Sequence, residues 1–369
     1  MNHPRRALLL SVQNWPQACR LPKYLRLGGF AVAACTPKSE LLNLSSSLDS
    51  VFELPQPGPG QLEPTLQQIL AACRQWHPHV LLPCDDLSAD VLDRLFLRVQ
   101  SDKPADAVQL QQLLIDSRGH PTRARLARSK HHALAWAHDM GLFTPAQHLC
   151  HTQAELPALV KRTGYPVVLK GEYGVAGLGV VICHSESDLG AAWTRASMAG
   201  TVAVQQHIGG RPAFCTAASW RGRLISANAF EVIQAWPEPV GPSTVIRHVQ
   251  HEAMLAATRT FVERTGCSGI VSLDFILTPE DRACFLECNP RPVPATHLGH
   301  GLGNDLFAAL HAAMTGRAAP ATPAASGQTI ALFPKEYARD PASPWLWKAW
   351  HDVPWDEPAI LRSFLYPAK

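Results

Sequence analysis

Asp274, Glu287 and Asn289 lie in the run Leu273-Asp274-Phe275-Ile276-Leu277 … Phe285-Leu286-Glu287-Cys288-Asn289-Pro290-Arg291. Each half alternates apolar and polar residues like a strand, and residues two apart on a strand share a face. Paired as a hairpin, the halves bring two carboxylates and an amide oxygen together. Oxygens of this kind suit Mg²⁺ held jointly with nucleotide phosphates, the protein giving a few ligands and the triphosphate the rest. The plainer alternative, two surface strands with acids in water, predicts no partner elsewhere in the chain for a triphosphate.

Such a partner is present. Lys170 ends the apolar run Tyr165-Pro166-Val167-Val168-Leu169, immediately before Gly171, Gly174, Gly177 and Gly179. A lysine aimed at phosphate oxygens, beside a loop able to close over them with backbone N–H groups, makes a triphosphate clamp. No Gly-x4-Gly-Lys-Ser/Thr sequence exists, and no helix directly follows the last glycine, so neither a P-loop nor a Rossmann fingerprint is expected.

A lysine closing a strand, a glycine-rich flap, an extended segment Thr201–His207 and then Asp-x12-Glu-x-Asn-Pro-Arg occur in that order. In this the chain resembles the ATP-grasp superfamily, over roughly residues 121–316. Closest in character are its carbamoyl-phosphate-synthase-like and amino-acid-ligase members. The resemblance implies an ATP-grasp fold, α/β and α+β, preceded by a Rossmann-like α/β domain of the pre-ATP-grasp kind.

It also implies roles. Asp274, Glu287 and Asn289 match metal ligands for Mg²⁺, with Glu287 bridging two ions and Mn²⁺ able to substitute. Lys130 and Lys170 match the nucleotide-contacting lysines, and Gly174, Gly177 and Gly179 the mobile flap. Gln205, Gln206, His207 and Ile208 fall on the hinge that meets the adenine edge. Arg291 and Arg247 match arginines that stabilise transferred phosphate or substrate carboxylate, acting with Lys170 as the catalytic set. The chain departs from the family's pattern where the hinge opens with Gln205 instead of glutamate. Pro212 also stands where a carboxylate commonly holds the ribose, a role that could move to Glu231.

The reaction implied is that of an ATP-dependent carboxylate–amine ligase: an acyl phosphate forms, an amine attacks it, and ADP and phosphate leave. The alternatives are a small-molecule phosphotransferase and a catalytically weakened nucleotide-binding accessory protein. Among residues outside the motifs, Asp85 and Asp86 could hold an ammonium group or simply cap a helix. His297 and His300 could shuttle protons, although 17 histidines make a chance location the simpler account. Arg123, Arg125 and Arg128 read as a solvated face or as further cations before Lys130.

Composition sets the frame for these groups. A chain of 369 residues, 46% apolar and 17% charged, supports a substantial core and two or three compact units. A net charge of +3 without basic runs excludes a nucleic-acid partner and favours small-molecule carboxylate, amino acids included, and amine substrates. Ten scattered cysteines, with no zinc-ligand spacing, fit reduced thiols in a cytoplasmic protein. The short N-terminal apolar stretch reads as a strand, and no run is long enough to cross a bilayer. A homodimer is left open.

Strands alternating with helix-like stretches over residues 1–120 predict a parallel sheet covered on both faces. The ATP-grasp domain is expected over 121–317, with a flap subdomain at about 144–204. An Ala/Pro-rich linker then leads into a tail over 318–369, carrying Trp345, Trp347, Trp350 and Trp355 and expected to pack on the body.

Overall fold

The apolar runs of the first third form the parallel sheet that their continuous hydrophobicity predicts. A computed structural model describes residues 4–13, 15–123, 129–173, 177, 179–317 and 326–366. Strand β1 (Arg5–Leu10) is followed by helix α1 (Leu21–Leu27), β2 (Phe30–Pro37), β3 (Ser50–Leu54), α2 (Leu62–Trp76) and β4 (Val80–Pro83). The strands pair in parallel in the order β3-β2-β1-β4. Alternation along β1 sends Leu8 and Leu10 to one face, packed on α2, α3 (Asp86–Asp102) and α4 (Ala107–Arg118). Ala7 and Leu9 go to the other face, against α1 and more distant parts of the chain.

Helix α5 (Lys130–Asp139) begins at Ser129, whose hydroxyl caps it by accepting from the His132 N–H. A four-stranded antiparallel sheet follows, formed by β5 (Gln147–Cys150), β6 (Val167–Gly171), β7 (Val180–Cys183) and β8 (Val202–Gln206) in the order β5-β8-β6-β7. Helices α6 (Leu156–Thr163) and α7 (Leu189–Ser197) cover one of its faces. This small sheet falls within the span expected of the flap, or lid, at about 144–204.

The third sheet has seven strands. It contains β9 (Arg211–Trp220), β10 (Arg223–Ala235), β11 (Ser243–Val249), β12 (Gly269–Leu277) and β13 (Ala283–Asn289), with α8 (Glu252–Thr265) between β11 and β12. Helices α5 and α8 bury Leu134, Met254, Phe261 and Val262 on one face with Leu273 and Phe275. On the other face, α9 (Leu306–Thr315) inserts Leu306, Phe307 and Leu310 between this sheet and the parallel one. At the junction Gly119 has φ 87°, and a Cβ there would stand 2.3 Å from the Gly266 carbonyl oxygen. Only glycine permits that approach.

Residues 318–325, most of the expected linker, lie outside the described residues. The chain then completes the large sheet. β14 (Thr329–Ala331) pairs antiparallel with β11 and β15 (Trp350–His351) parallel with β14, giving the order β13-β12-β9-β10-β11-β14-β15. Helix α10 (Lys335–Arg339) lies between them, and α11 (Pro358–Leu365) follows. Two ties fasten this segment to the first unit. Arg20 donates to both carboxylate oxygens of buried Asp352, at 2.9 and 3.4 Å, and His297 Nε2 lies 3.0 Å from the same group. Glu357 accepts hydrogen bonds from the hydroxyls of Ser45 and Ser46.

Candidate functional site

The acidic hairpin is built by register. Asp274 on β12 pairs with Glu287 on β13 and Ser272 with Asn289, and a bulge follows Asp274. All four side chains therefore share a face. The Asn289 amide donates to Asp274 Oδ2 at 3.2 Å. Burial, and then the Glu287 charge, push the Asp274 carboxyl up to about 8. Burial opposes ionisation of Glu287 too, but Lys130 and Lys170 overcome it and hold that carboxylate well below the usual range.

Both lysines reach Glu287 from other elements. Lys170, buried at the end of β6, places Nζ 2.8 Å from Glu287 Oε2; Lys130, the first residue of α5, stands at 3.6 Å. Burial weakens the hold of Lys130 on its proton, with Glu287 working the other way. Two cations, one from β6 of the small sheet and one from the start of α5, thus meet Glu287 beside Asp274. Among the described residues no group of three His, Cys, Asp or Glu side chains converges as a complete metal cage. Two crowded carboxylates and an amide oxygen nevertheless fit a hard divalent cation that takes its remaining oxygens from phosphates. A cation held there would offset the burial and the Glu287 charge that oppose ionisation of Asp274.

The lid's loop is described only in part. Gly174 lies outside the described residues; Gly177 and Gly179 both have φ 77°. A Cβ on Gly177 would stand 2.2 Å from the Val240 carbonyl oxygen, so the loop lies directly on the β10–β11 turn. The hinge runs through β8. Gln205 is buried between Val168 and Gln147, and the Gln206 N–H donates to the Ala146 carbonyl at 2.8 Å. His207 and Ile208 follow the last ladder pair, Gln206 with Val167. Past that pair, no backbone hydrogen bond among the described residues engages His207 or Ile208.

Arg291 is drawn into the same corner. Its guanidinium donates to both oxygens of Asp86 at 2.9 Å, lies 3.4 Å from Asn289 Oδ1 and stacks over Trp15 at 4.9 Å. A planar, bidentate pair of this kind fixes the arginine's orientation. It also corrects the reading of the two aspartates as an ammonium site. Asp86 is engaged by Arg291, and Asp85 caps α3, accepting from the backbone N–H groups of Ser88 and Val12.

Arg247 needs a second correction. Asp274 stands opposite Phe214, Phe214 opposite Phe230 and Phe230 opposite His248, which defines the carboxylate face across four strands. Arg247 is the neighbour of His248 and pairs with Glu231, which pairs with Ala213 on the opposite face. One residue along a strand reverses the face, so Arg247 is turned away from the site. Glu231 shares that averted face and is engaged by Arg211 at 3.1 Å, which removes it as a ribose ligand.

The histidines are otherwise employed as well. His297 is buried against Asp352, and His300 Nδ1 lies 2.7 Å from Asp305. Arg125 and Arg128 lie outside the described residues. Sequence reasoning missed Trp15, whose ring lies over Arg291; Glu40, on whose carboxyl Asp85 acts; and Lys335, which feels the charge of Arg291. None sits in a motif, and no local spacing could have announced them.

Residues 127–295 match the family model described as the ATP-grasp domain. The formate-dependent phosphoribosylglycinamide formyltransferase of Bacillus subtilis (strain 168) is 25% identical over 172 residues, 42% of this chain and 42% of that protein. The chain therefore spans less than half the length of the curated relative it matches. Among solved structures, the biotin carboxylase domain of Hydrogenobacter thermophilus 2-oxoglutarate carboxylase, in complex with MgADP, ADP and bicarbonate, superposes with a TM-score of 0.65. It is 16% identical, over 89% of this chain and 73% of that one. The L-amino acid ligase of Bacillus licheniformis gives a TM-score of 0.63 at 15% identity, over 89% and 79%. These likenesses carry the fold.

Proposed function

We propose that this chain, which carries an ATP-grasp domain, is an ATP-dependent carboxylate–amine ligase that uses ATP and Mg²⁺. The observation that carries the reading is the meeting of Lys170 from the small sheet and Lys130 from α5 with Glu287, which pairs with Asp274 and shares a strand face with Asn289. The similarity to a formyltransferase, a biotin carboxylase domain and an amino acid ligase supports it.

Asp274, Glu287 and Asn289 would hold the metal, which neutralises phosphate charge when bound. Lys170 and Lys130 then exchange their contact with Glu287 for phosphate oxygens, and His207 and Ile208 offer backbone groups to the adenine. A substrate carboxylate oxygen attacks the γ-phosphorus, the bond to the bridging oxygen of ADP breaks, and an acyl phosphate results. Arg291, oriented by Asp86, stands at the end of the metal hairpin, where it stabilises the growing negative charge. The amine nitrogen attacks the acyl carbon and loses a proton while phosphate departs. The lid keeps water from the acyl phosphate during this interval.

All ten cysteines are free and buried, which suits a reducing compartment such as the cytoplasm. No helix among the described residues is long and apolar enough to cross a membrane.

Glu287→Gln and Asp274→Asn should each lower ADP release at least about 100-fold while leaving the fold intact by circular dichroism. Normal turnover in either variant overturns the metal site. Hydroxylamine added during turnover should yield an acyl hydroxamate; a stable phosphorylated product in its place would identify a phosphotransferase.

A further inference from the structure

Lys170 and Lys130 bring two ammonium groups to the single carboxylate of Glu287, at 2.8 and 3.6 Å, and like charges held that close repel. The two lysines also stand on different supports. Lys170 lies at the end of β6 in the small sheet, whereas α5 packs on the large sheet through Leu134 and Ala137. Keeping both cations on one target therefore requires that the supports be fastened to each other. Glu287 cannot be the lasting fastener, because under the ligase reading phosphate oxygens take the lysines from it.

The residues beside the lysines make a second junction. Glu172 lies two positions beyond Lys170, and its N–H still bonds the Thr201 carbonyl at 2.9 Å, so the extended chain turns both side chains to one side. Its Oε1 accepts from the hydroxyl of Ser129, the residue before Lys130, at 2.8 Å. That hydroxyl has no capacity left over. Its one proton goes to Glu172, while its oxygen accepts from the backbone N–H of His132 at 3.4 Å and faces His132 Nδ1 at 2.9 Å, which makes Nδ1 the donor of that contact. Gln147 of β5 adds a parallel tie, its side-chain amide donating to the His131 carbonyl at 3.0 Å. Both ties run from the small sheet to the first turn of α5, and neither uses a group assigned above to nucleotide or metal.

Resting on the ligase reading, we propose that Glu172 is a positioning residue: through Ser129 it clasps the small sheet to the start of α5 and keeps Lys170 and Lys130 side by side when phosphate oxygens replace Glu287. Glu172 acts through the two lysines and touches neither nucleotide nor metal. Its task is to accept a hydrogen bond from a hydroxyl, which a neutral amide oxygen also does.

The test is calorimetric titration of the full chain with MgADP, alongside the ATP KM. Glu172→Ala removes the clasp but leaves Ser129 capping α5 through His132, so the melting temperature should hardly move. The MgADP Kd and the ATP KM should both rise about 10-fold. Glu172→Gln should recover most of that loss. Ser129→Ala also removes the cap and lowers stability, but added to Glu172→Ala it should weaken MgADP no further. An unchanged Kd in Glu172→Ala overturns the proposal, as does a Glu172→Gln variant as impaired as Glu172→Ala. A large fall in the melting temperature of Glu172→Ala overturns it too, since Glu172 would then serve the fold.

Reductive methylation supplies a readout that needs no nucleotide. The side chains of Lys170 and Lys130 are 7% and 11% exposed and should label slowly in the wild type, and Glu172→Ala should speed both several-fold without changing exposed Lys161. Unchanged labelling refutes the clasp whether or not nucleotide binds. Absence of MgADP binding and of ATP consumption in the wild type sinks the ligase reading instead.

Discussion

At the scale of single residues, the unmatched charge of Glu40 has a thermodynamic signature. Its folded pKa stands above that of the unfolded chain, so between about 4.3 and 7 the folded state holds a proton that the unfolded state has lost. The associated stability is fully present below that window and disappears as pH rises through it. The wild-type melting temperature minus that of Glu40→Gln should therefore fall from pH 4.5 to pH 7.5; a flat difference curve would refute the assignment.

The contact between Asp274 and Glu287 was legible in the sequence because strand alternation is local and the hairpin short. The Asp86–Arg291 pair was not: its members are 205 residues apart, and only the docking of the first sheet on the large one joins them. Arg247 failed for a related reason, since its face is fixed by register carried across several strands rather than by its own neighbours. Lys335 was invisible because charge and burial become informative only when its surroundings are known.

At the scale of elements, the lid should be sensitive where it touches the β10–β11 turn. Gly177→Ala places a Cβ against the Val240 carbonyl and forces a non-glycine residue to φ 77°. Gly141→Ala meets nothing within 4 Å at φ 81°, so it carries only the conformational strain of about 1–2 kcal/mol. Gly177→Ala should raise the ratio of ADP released to amide formed, through leakage of the acyl phosphate to water, whereas Gly141→Ala should lower stability without uncoupling. Equal coupling in both would remove the lid from the mechanism. The hairpin of β6 and β7 was readable as two apolar runs about a glycine-rich loop. β5, α6 and α7 were not singled out; the sheet that joins them is assembled by pairings distant in sequence.

At the scale of the whole molecule, the buried cluster of Arg20, Asp352 and His297 joins the first unit, the segment after the acidic hairpin and the C-terminal residues. Asp352→Ala strands a buried guanidinium and should cost about 3–5 kcal/mol in urea denaturation. Removal of Arg20 and Asp352 together should cost less than the sum of the two single changes, and additivity would deny the coupling. The tryptophans of this region divide: Trp350 lies in the sheet, whereas Trp347 and Trp355 are 68% and 75% exposed. That the last strands complete the large sheet could not be read from β14 and β15 themselves, because three and two residues are too few to show a period.

The lateness of β14 matters while the protein is being made. Until Thr329–Ala331 leave the ribosome, β11 presents an open row of N–H and C=O groups to whatever else is nearby. Ribosomes that stall shortly before that point would carry nascent chains with an uncapped seam, prone to join neighbouring chains edge to edge. Slow codons in this stretch would therefore lower soluble yield, even though every residue proposed to meet nucleotide or metal had already been translated.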